Sequence, residues 1–217
     1  GCAAPLNCMD SVVCMGAGFS AGMGIAKSFE KEGVTGKVVF GVVGDSTFFH
    51  SGMTGAAEIV YNKGRMIPCV LDNRITGMTG HQDNPGTGYT LQGDPTALLS
   101  VEKILTALGF APVLTVDPQD LKAMKAAVDQ AVAALDAGRQ PAIVTRRPCL
   151  LIKRDKFRKG MCRVNADKCR SCRSCLKVGC PAISLENGKA VIDRTQCVGC
   201  TVCAQVCPFD AIEKEEK

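Results

Sequence analysis

Cys169-Arg170-Ser171-Cys172-Arg173-Ser174-Cys175, with Cys180-Pro181 after it, and Cys197-Val198-Gly199-Cys200-Thr201-Val202-Cys203, with Cys207-Pro208 after it, decide how the C-terminal part of this chain folds. The first Cys-Pro continues as Ala182-Ile183 and the second, after Phe209-Asp210, as Ala211-Ile212, so the segment contains an internal repeat. Eight of the 14 cysteines fall in these two runs, and disulfide frameworks are not spaced in this way. The other six, Cys2, Cys8, Cys14, Cys69, Cys149 and Cys162, lie in apolar or irregular surroundings and read as small buried hydrophobes.

The spacing resembles that of two-cluster bacterial ferredoxins, in which three closely spaced cysteines and one remote cysteine from the other run hold each cluster. Applied to this sequence, Cys169, Cys172, Cys175 and Cys207 hold one 4Fe-4S cluster, and Cys180, Cys197, Cys200 and Cys203 hold the second. Thiolates suit the task because iron in sulfide cages prefers soft, electron-rich donors. Between the runs, Ile183 to Leu185 and Ala190 to Ile192 flank Glu186-Asn187-Gly188, the pattern of a hairpin. One departure is that four residues separate Cys175 from Cys180 where the usual spacing has three, which a one-residue bulge can absorb. Zinc is the competing ligand chemistry, but two triplet runs overfill a zinc site. Each run also keeps its middle cysteine, against a 3Fe-4S form.

Upstream, from about residue 12 to residue 147, short β-branched runs alternate with stretches of helical spacing, the rhythm of an α/β domain with a largely parallel sheet. Strands are expected at Val38 to Val43, Met66 to Leu71, Ala111 to Val116 and Ala142 to Thr145, and helices at Ser51 to Tyr61, Leu98 to Leu108 and Asp120 to Leu135. The last helix carries one apolar stripe of Leu121, Met124, Val128, Val132 and Leu135, with Gly138 closing it. The loop from Thr76 to Pro95 is long and rich in Gly, Asp, Thr and Pro, the kind of connection that carries function. The domain boundary is expected near residue 155, giving 1–155 and 156–217.

A composition of 46% hydrophobic and 22% charged residues is that of a globular protein, and no apolar run approaches the roughly 20 residues that cross a bilayer. With no secretory pattern at Gly1 to Pro5, a cytoplasmic location is expected. The net charge of +5 is concentrated: five bases and one acid between Lys153 and Lys159 leave +1 for the rest. That distribution reads as a solvated linker and not as a nucleic-acid surface.

A second constellation stands at two expected strand ends: Gly44-Asp45-Ser46-Thr47, and Asp72-Asn73-Arg74-Ile75, with 28 residues from Asp45 to Asn73. Ligands of open parallel sheets bind at the carboxyl ends of strands. Asp45 and the Asn73 amide oxygen are hard donors suited to magnesium, with the Ile75 carbonyl a third. On the residues alone, Asp45 could equally cap a turn and Asn73 sit in a polar loop. The pair resembles the thiamine diphosphate signature, Gly-Asp-Gly followed by Asn-Asn, with Ser46 for the second glycine and Asp72 for the first asparagine. Met15-Gly16-Ala17-Gly18 resembles the segment that meets the aminopyrimidine and diphosphate in this superfamily. Gly77-Met78-Thr79-Gly80-His81-Gln82 resembles a loop of 2-oxoacid:ferredoxin oxidoreductases.

Together with the cysteine runs, and with Gly44 to Gly52, the sequence resembles the C-terminal part of the indolepyruvate ferredoxin oxidoreductase alpha subunit. The resemblance implies thiamine diphosphate, Mg2+ and two 4Fe-4S clusters as cofactors, with coenzyme A as co-substrate. The implied reaction is oxidative decarboxylation of arylpyruvates to aryl-acetyl-CoA, electrons passing to an external ferredoxin. It places Met15, Gly16, Gly44, Asp45, Ser46, Thr47, Asn73, Gly77, Met78 and Thr79 at the cofactor, and Asp45, Asn73 and Ile75 on the metal. His50 and His81 lie in loops that could meet substrate, or they could be solvated side chains. A beta subunit and a pyrimidine-binding domain absent from this sequence complete the family's enzyme. Pyruvate or another 2-oxoacid as substrate, and a non-catalytic iron-sulfur electron carrier, stand as alternatives.

Overall fold

A computed structural model describes residues 4–152 and 160–215. They form two compact units, one of residues 12–152 and one of residues 4–11 together with 160–215. The expected boundary near residue 155 and the basic run Lys153 to Lys159 lie outside the described residues, as does Cys2.

The larger unit is an α/β sandwich. Its sheet holds β1 (Val39–Gly44), β2 (Met66–Asp72), β3 (Val113–Val116) and β4 (Ala142–Arg146) in the order β1-β2-β4-β3, every pair parallel. All four strands match the expected segments to within two residues at each end. In β2, the run Met66 to Val70 is buried without alternation, because helices cover the central strand on both faces. One face carries α1 (Ala17–Lys31), a helical run made of α2 (Asp45–Thr47), a π-helical turn (Phe48–Gly52) and α3 (Met53–Tyr61), and α4 (Val101–Leu108). Phe19, Phe48, Ile59, Val70, Leu105 and Phe110 make its core.

The opposite face is covered by α5 (Leu121–Asp136), which starts where Asp120 Oδ1 accepts from Ala123 N at 2.9 Å. Its most deeply buried residues are Ala127, Ala131, Ala134 and Leu135, so of the expected stripe only Leu135 is fully buried and three alanines take the place of the rest. Small residues bring the helix axis close to Ile67, Cys69 and Ile143, while Met124, Val128 and Val132 fill the flanks.

The smaller unit has two antiparallel ribbons: β5 (Met161–Val164) pairs with β8 (Ile212–Glu215), and β6 (Ile183–Glu186) with β7 (Lys189–Ile192). The β6-β7 turn is the expected hairpin, with Asn187 and Gly188 both at positive φ as a two-residue turn demands. A 3-10 turn (Ser174–Val178) and α6 (Val202–Gln205) follow the two cysteine runs. Among the described residues of both units, no helix is long and apolar enough to cross a membrane.

Backbone contact sets the distance between α1 and β1. A Cβ on Gly18 would lie 2.2 Å from the Val42 carbonyl oxygen, and one on Gly41 would lie 2.7 Å from that of Gly18. Neither obstacle is a side chain that could swing aside. Gly18→Ala is therefore expected to cost about 1–3 kcal/mol through overpacking. Gly24→Ala, on the same helix with open space around it, is expected to gain about 0.5–1 kcal/mol from helix propensity. Urea denaturation followed by circular dichroism measures both, and equal effects would show that the close approach is not what limits the pair.

Candidate functional site

The parallel register sets Gly44 opposite Leu71, so the residues that follow, Asp45 and Asp72, end adjacent strands side by side. Both are buried, at 3% and 4% exposure. They are satisfied in different ways. Asp72 Oδ2 pairs with Arg146 Nε at 2.7 Å, and its Oδ1 accepts from the Arg74 amide at 3.1 Å and faces Arg74 Nε at 3.4 Å. Among the described residues no cation pairs with Asp45: Oδ1 accepts from Ser46 N at 2.8 Å and Oδ2 from Asn84 Nδ2 at 3.4 Å, with the Arg74 amide also directed at the carboxylate. Burial, with Asp72 adding to it, pushes the Asp45 carboxyl above the usual carboxylate range despite these hydrogen bonds.

Asn73 stands next to this pair, its Oδ1 accepting from Ile75 N at 3.1 Å and keeping a free lone pair. Gly77 abuts the Asn73 amide, and Ile75 is buried. Gly16, at φ +89°, begins α1 where a Cβ would strike Ser51 Oγ, so the N-terminus of that helix meets the π-helical turn that follows Asp45. Thr47 is buried below the turn, Ser46 is half-buried, and His50 is exposed on it. Wide turns of this kind occur often at functional sites.

The long loop is tied down at two points. Arg74 Nη1 donates to the Gly86 carbonyl at 2.7 Å, and the Asn84 side chain links Asp45 to the Gly86 amide, which it accepts at 2.8 Å. Thr79 and Gln82 bond each other and Thr76 bridges to Gln82, while Met78, Thr79 and His81 are exposed. Sequence reading did not single out Asn84, Arg74 or Arg146. A polar residue inside a loop gives no sign of being buried until the loop is folded back on the strand ends.

In the smaller unit the two runs repeat in backbone as well as in sequence. Ser171 and Gly199 have φ of +57° and +69°, and Arg173 and Thr201 have +62° and +64°. Among these residues, the Ser171 amide meets the Cys169 sulfur and the Thr201 amide that of Cys162. Burial, followed by the nearby Cys172, Cys169 and Cys207, raises the Cys175 thiol. A cavity is lined by these same four cysteines together with Leu185, Ala190 and Phe209. Burial, then Cys162, Cys200 and Cys180, pushes the Cys203 thiol up to about 12. Cys207 thus lies beside the first run and Cys180 beside the second. The extra residue before Cys180 is Gly179, which caps the 3-10 turn at φ +68°.

Of the six remaining cysteines, Cys69 is a core residue whose thiol burial raises to about 12, whereas Cys8 and Cys14 are exposed, against expectation, in irregular segments. Cys162 is different again. At 1% exposure it donates its amide to Cys197 Sγ at 3.3 Å, and its own thiol meets that of Cys203.

Tested against the groups the sequence implies, these donors fit. Among the described residues no three His, Cys, Asp or Glu side chains converge on one metal ion. Magnesium at a diphosphate needs only one or two protein carboxylates, the phosphates supplying the rest, which matches Asp45 with Asn73. A cubane spreads its thiolates over separate corners, whereas zinc draws four within about 2.3 Å of one point.

The family described as "Thiamine pyrophosphate enzyme, C-terminal TPP binding domain" matches residues 2–145, and "4Fe-4S binding domain" matches residues 190–213. The chain is 38% identical over 226 residues to indolepyruvate oxidoreductase subunit IorA of Pyrococcus abyssi, covering 97% of this chain and 34% of the relative. The subunit of the same name from Methanothermobacter marburgensis is 34% identical over 98% of this chain and 33% of its own length. The chain thus spans about a third of these relatives, and the expected resemblance to them is borne out. The structure of 2-oxoglutarate:ferredoxin oxidoreductase from Magnetococcus marinus, with 2-oxoglutarate, coenzyme A and succinyl-CoA bound, shares the fold. It covers 62% of this chain and 46% of its own at 17% identity, with a TM-score of 0.50. By the match over residues 2–145, the chain belongs to the thiamine pyrophosphate enzymes, with their C-terminal TPP-binding domain followed by a 4Fe-4S binding domain.

Proposed function

We propose that this chain is the diphosphate-holding and electron-exporting part of a 2-oxoacid:ferredoxin oxidoreductase acting on an arylpyruvate such as indolepyruvate. The single observation that carries the reading is the buried Asp45, left without a cation beside Asn73, in a chain that also gathers two sets of four cysteines. Asp45 and Asn73, with the Ile75 carbonyl, would hold Mg2+ against the diphosphate. The N-terminus of α1 and the backbone around Gly16 and Gly44 favour the phosphate charge. Gly77, Met78 and Thr79 lie on the loop that Arg74 and Asn84 hold beside those strand ends.

When bound, thiamine diphosphate supplies the carbanion stabilisation that lets a 2-oxoacid lose carbon dioxide. Cys169, Cys172, Cys175 and Cys207 would hold one 4Fe-4S cluster and Cys180, Cys197, Cys200 and Cys203 the other, and such clusters would supply one-electron chemistry. His50 and His81, both exposed, are free to meet substrate. The pyrimidine-binding domain, the beta subunit, coenzyme A as acyl acceptor and an external ferredoxin complete the reaction in this reading. Similarity to the IorA subunits favours an arylpyruvate over pyruvate.

Equilibrium dialysis of the anaerobically purified chain tests the cofactor site. Thiamine diphosphate is expected to bind only with Mg2+, Asp45→Ala to abolish that dependence, and Asn84→Ala, which acts through Asp45, to weaken Mg2+ by roughly 10- to 100-fold. Binding that ignores both Mg2+ and Asp45 would leave the electron-carrier reading in its place.

Iron analysis tests the clusters, with about eight irons per chain expected. Cys162→Ala is expected to keep all of them and to shift the reduction potential of the cluster on the second run, because it removes a sulfur neighbour of Cys203. A loss of about four irons would instead make Cys162 a ligand.

A further inference from the structure

The two halves of the iron-sulfur repeat share their backbone but not their charge. Flanking Cys172 are Arg170, Arg173 and Lys177, all exposed; the residues 28 positions on, around Cys200, are Val198, Thr201 and Gln205. Of the other described cations of the unit, all but Lys214 are engaged. Arg163 and Lys168 pair with Glu213, Arg194 pairs with Glu215, and Lys189 donates to the Cys169 carbonyl. Among the described residues, Arg170, Arg173 and Lys177 have no ion pair, and no acid lies between Lys168 and Cys180 in the sequence.

Exposure differs in the same direction. Of the eight cysteines assigned to clusters, Cys172 alone is exposed, and the other seven are buried or half-buried. Arg170, Ser171, Cys172, Arg173 and Ser174 line the cavity enclosed by the first set. Three unpaired cations around one accessible thiolate make a single-sign field at the point where that cluster comes nearest to solvent. Fields of this kind steer oppositely charged partners and raise their rate of encounter.

We propose that electrons leave this chain from the first cluster, through its Cys172 edge, into an acidic one-electron carrier protein that docks on Arg170, Arg173 and Lys177. The proposal rests on the cluster ligation put forward above. In the step itself the reduced cluster gives one electron to the oxidised carrier and returns to its oxidised state, with no proton or ligand transferred. The second cluster, whose matched positions carry no charge, then lies upstream of the first.

The test uses the full chain with its clusters, reduced by dithionite, freed of excess reductant and mixed in a stopped-flow instrument with an oxidised, strongly acidic 2Fe-2S ferredoxin. The second-order rate is expected to fall at least about tenfold between roughly 0.05 and 0.5 M salt. At low salt it is expected to fall about 10- to 100-fold in Arg170→Glu/Arg173→Glu/Lys177→Glu. Lys214→Glu, a single charge reversal on β8, should stay within about twofold of wild type. Iron content and the paramagnetic signals of both reduced clusters are read in every variant. Where the triple variant loses iron, Arg170→Gln and Lys177→Gln singly replace it, each expected to slow the reaction and flatten its salt dependence. An intact triple variant, or intact single variants, reacting at the wild-type rate would overturn the docking site and leave the ligation standing. A wild-type chain without iron would overturn the ligation itself.

Discussion

Two carboxylates, Asp45 and Asp72, are buried next to each other because adjacent parallel strands in register must end together. Like charges at such a point disfavour ionisation unless cations intervene. The chain supplies them on one side only. Arg146, from the neighbouring strand β4, and Arg74 neutralise Asp72, while Asp45 is met by the Ser46 and Arg74 amides and the Asn84 side chain. The strand ends therefore hold one carboxylate paired with cations and a second held only by hydrogen bonds. The position of the loop follows, since Arg74 and Asn84 carry the same charges outward to Gly86.

The iron-sulfur unit meets a different constraint. Its core contains Cys162, Cys169, Cys175 and Cys203, packed with Ala182, Ala190, Ile192, Ala211 and Ile212, and no aromatic residue. Apolar burial on that scale is small for an independent fold. Ligation of thiolates adds free energy that such a unit cannot draw from its side chains, as in other small metal-dependent domains. The left-handed residues at Ser171, Arg173, Gly199 and Thr201 fit the same account, since three of the four are not glycine and need a local reason to hold positive φ. For Ser171 and Thr201, amides turned toward sulfur provide one.

Much of this was legible in the sequence, for reasons that differ between elements. Strands β1 to β4 are short apolar, mostly β-branched runs, β2 and β4 buried along most of their length, and hydropathy alone locates them to within two residues. The cysteine spacing is legible because covalent geometry, not packing, dictates it. The π-helical turn at Phe48–Gly52 is not, because nothing in the spacing of Phe-Phe-His-Ser-Gly marks a turn wider than its neighbours. Nor is the alanine face of α5, which looks bland by periodicity and is chosen by how near the helix must come to the sheet. Asn84 and Cys162 escape for a third reason: each matters through a partner 39 and 35 residues away.

The two departures from the thiamine diphosphate signature have physical explanations in the same geometry. Ser46 stands where the signature has its second glycine, but it lies in α2 and is not among the residues at positive φ. A helical position imposes no strain on a side chain, and what Asp45 takes from Ser46 is its backbone amide, which any residue but proline offers. Asp72 stands where the signature has an asparagine. A neutral amide there would offer one acceptor oxygen to two guanidinium groups, whereas the carboxylate gives Oδ2 to Arg146 and Oδ1 to Arg74. Arg74 holds φ +61°, a strained position for a long side chain, and Asp72 anchors both its amide and its Nε there. The acid in place of the amide thus serves the loop that Arg74 reaches.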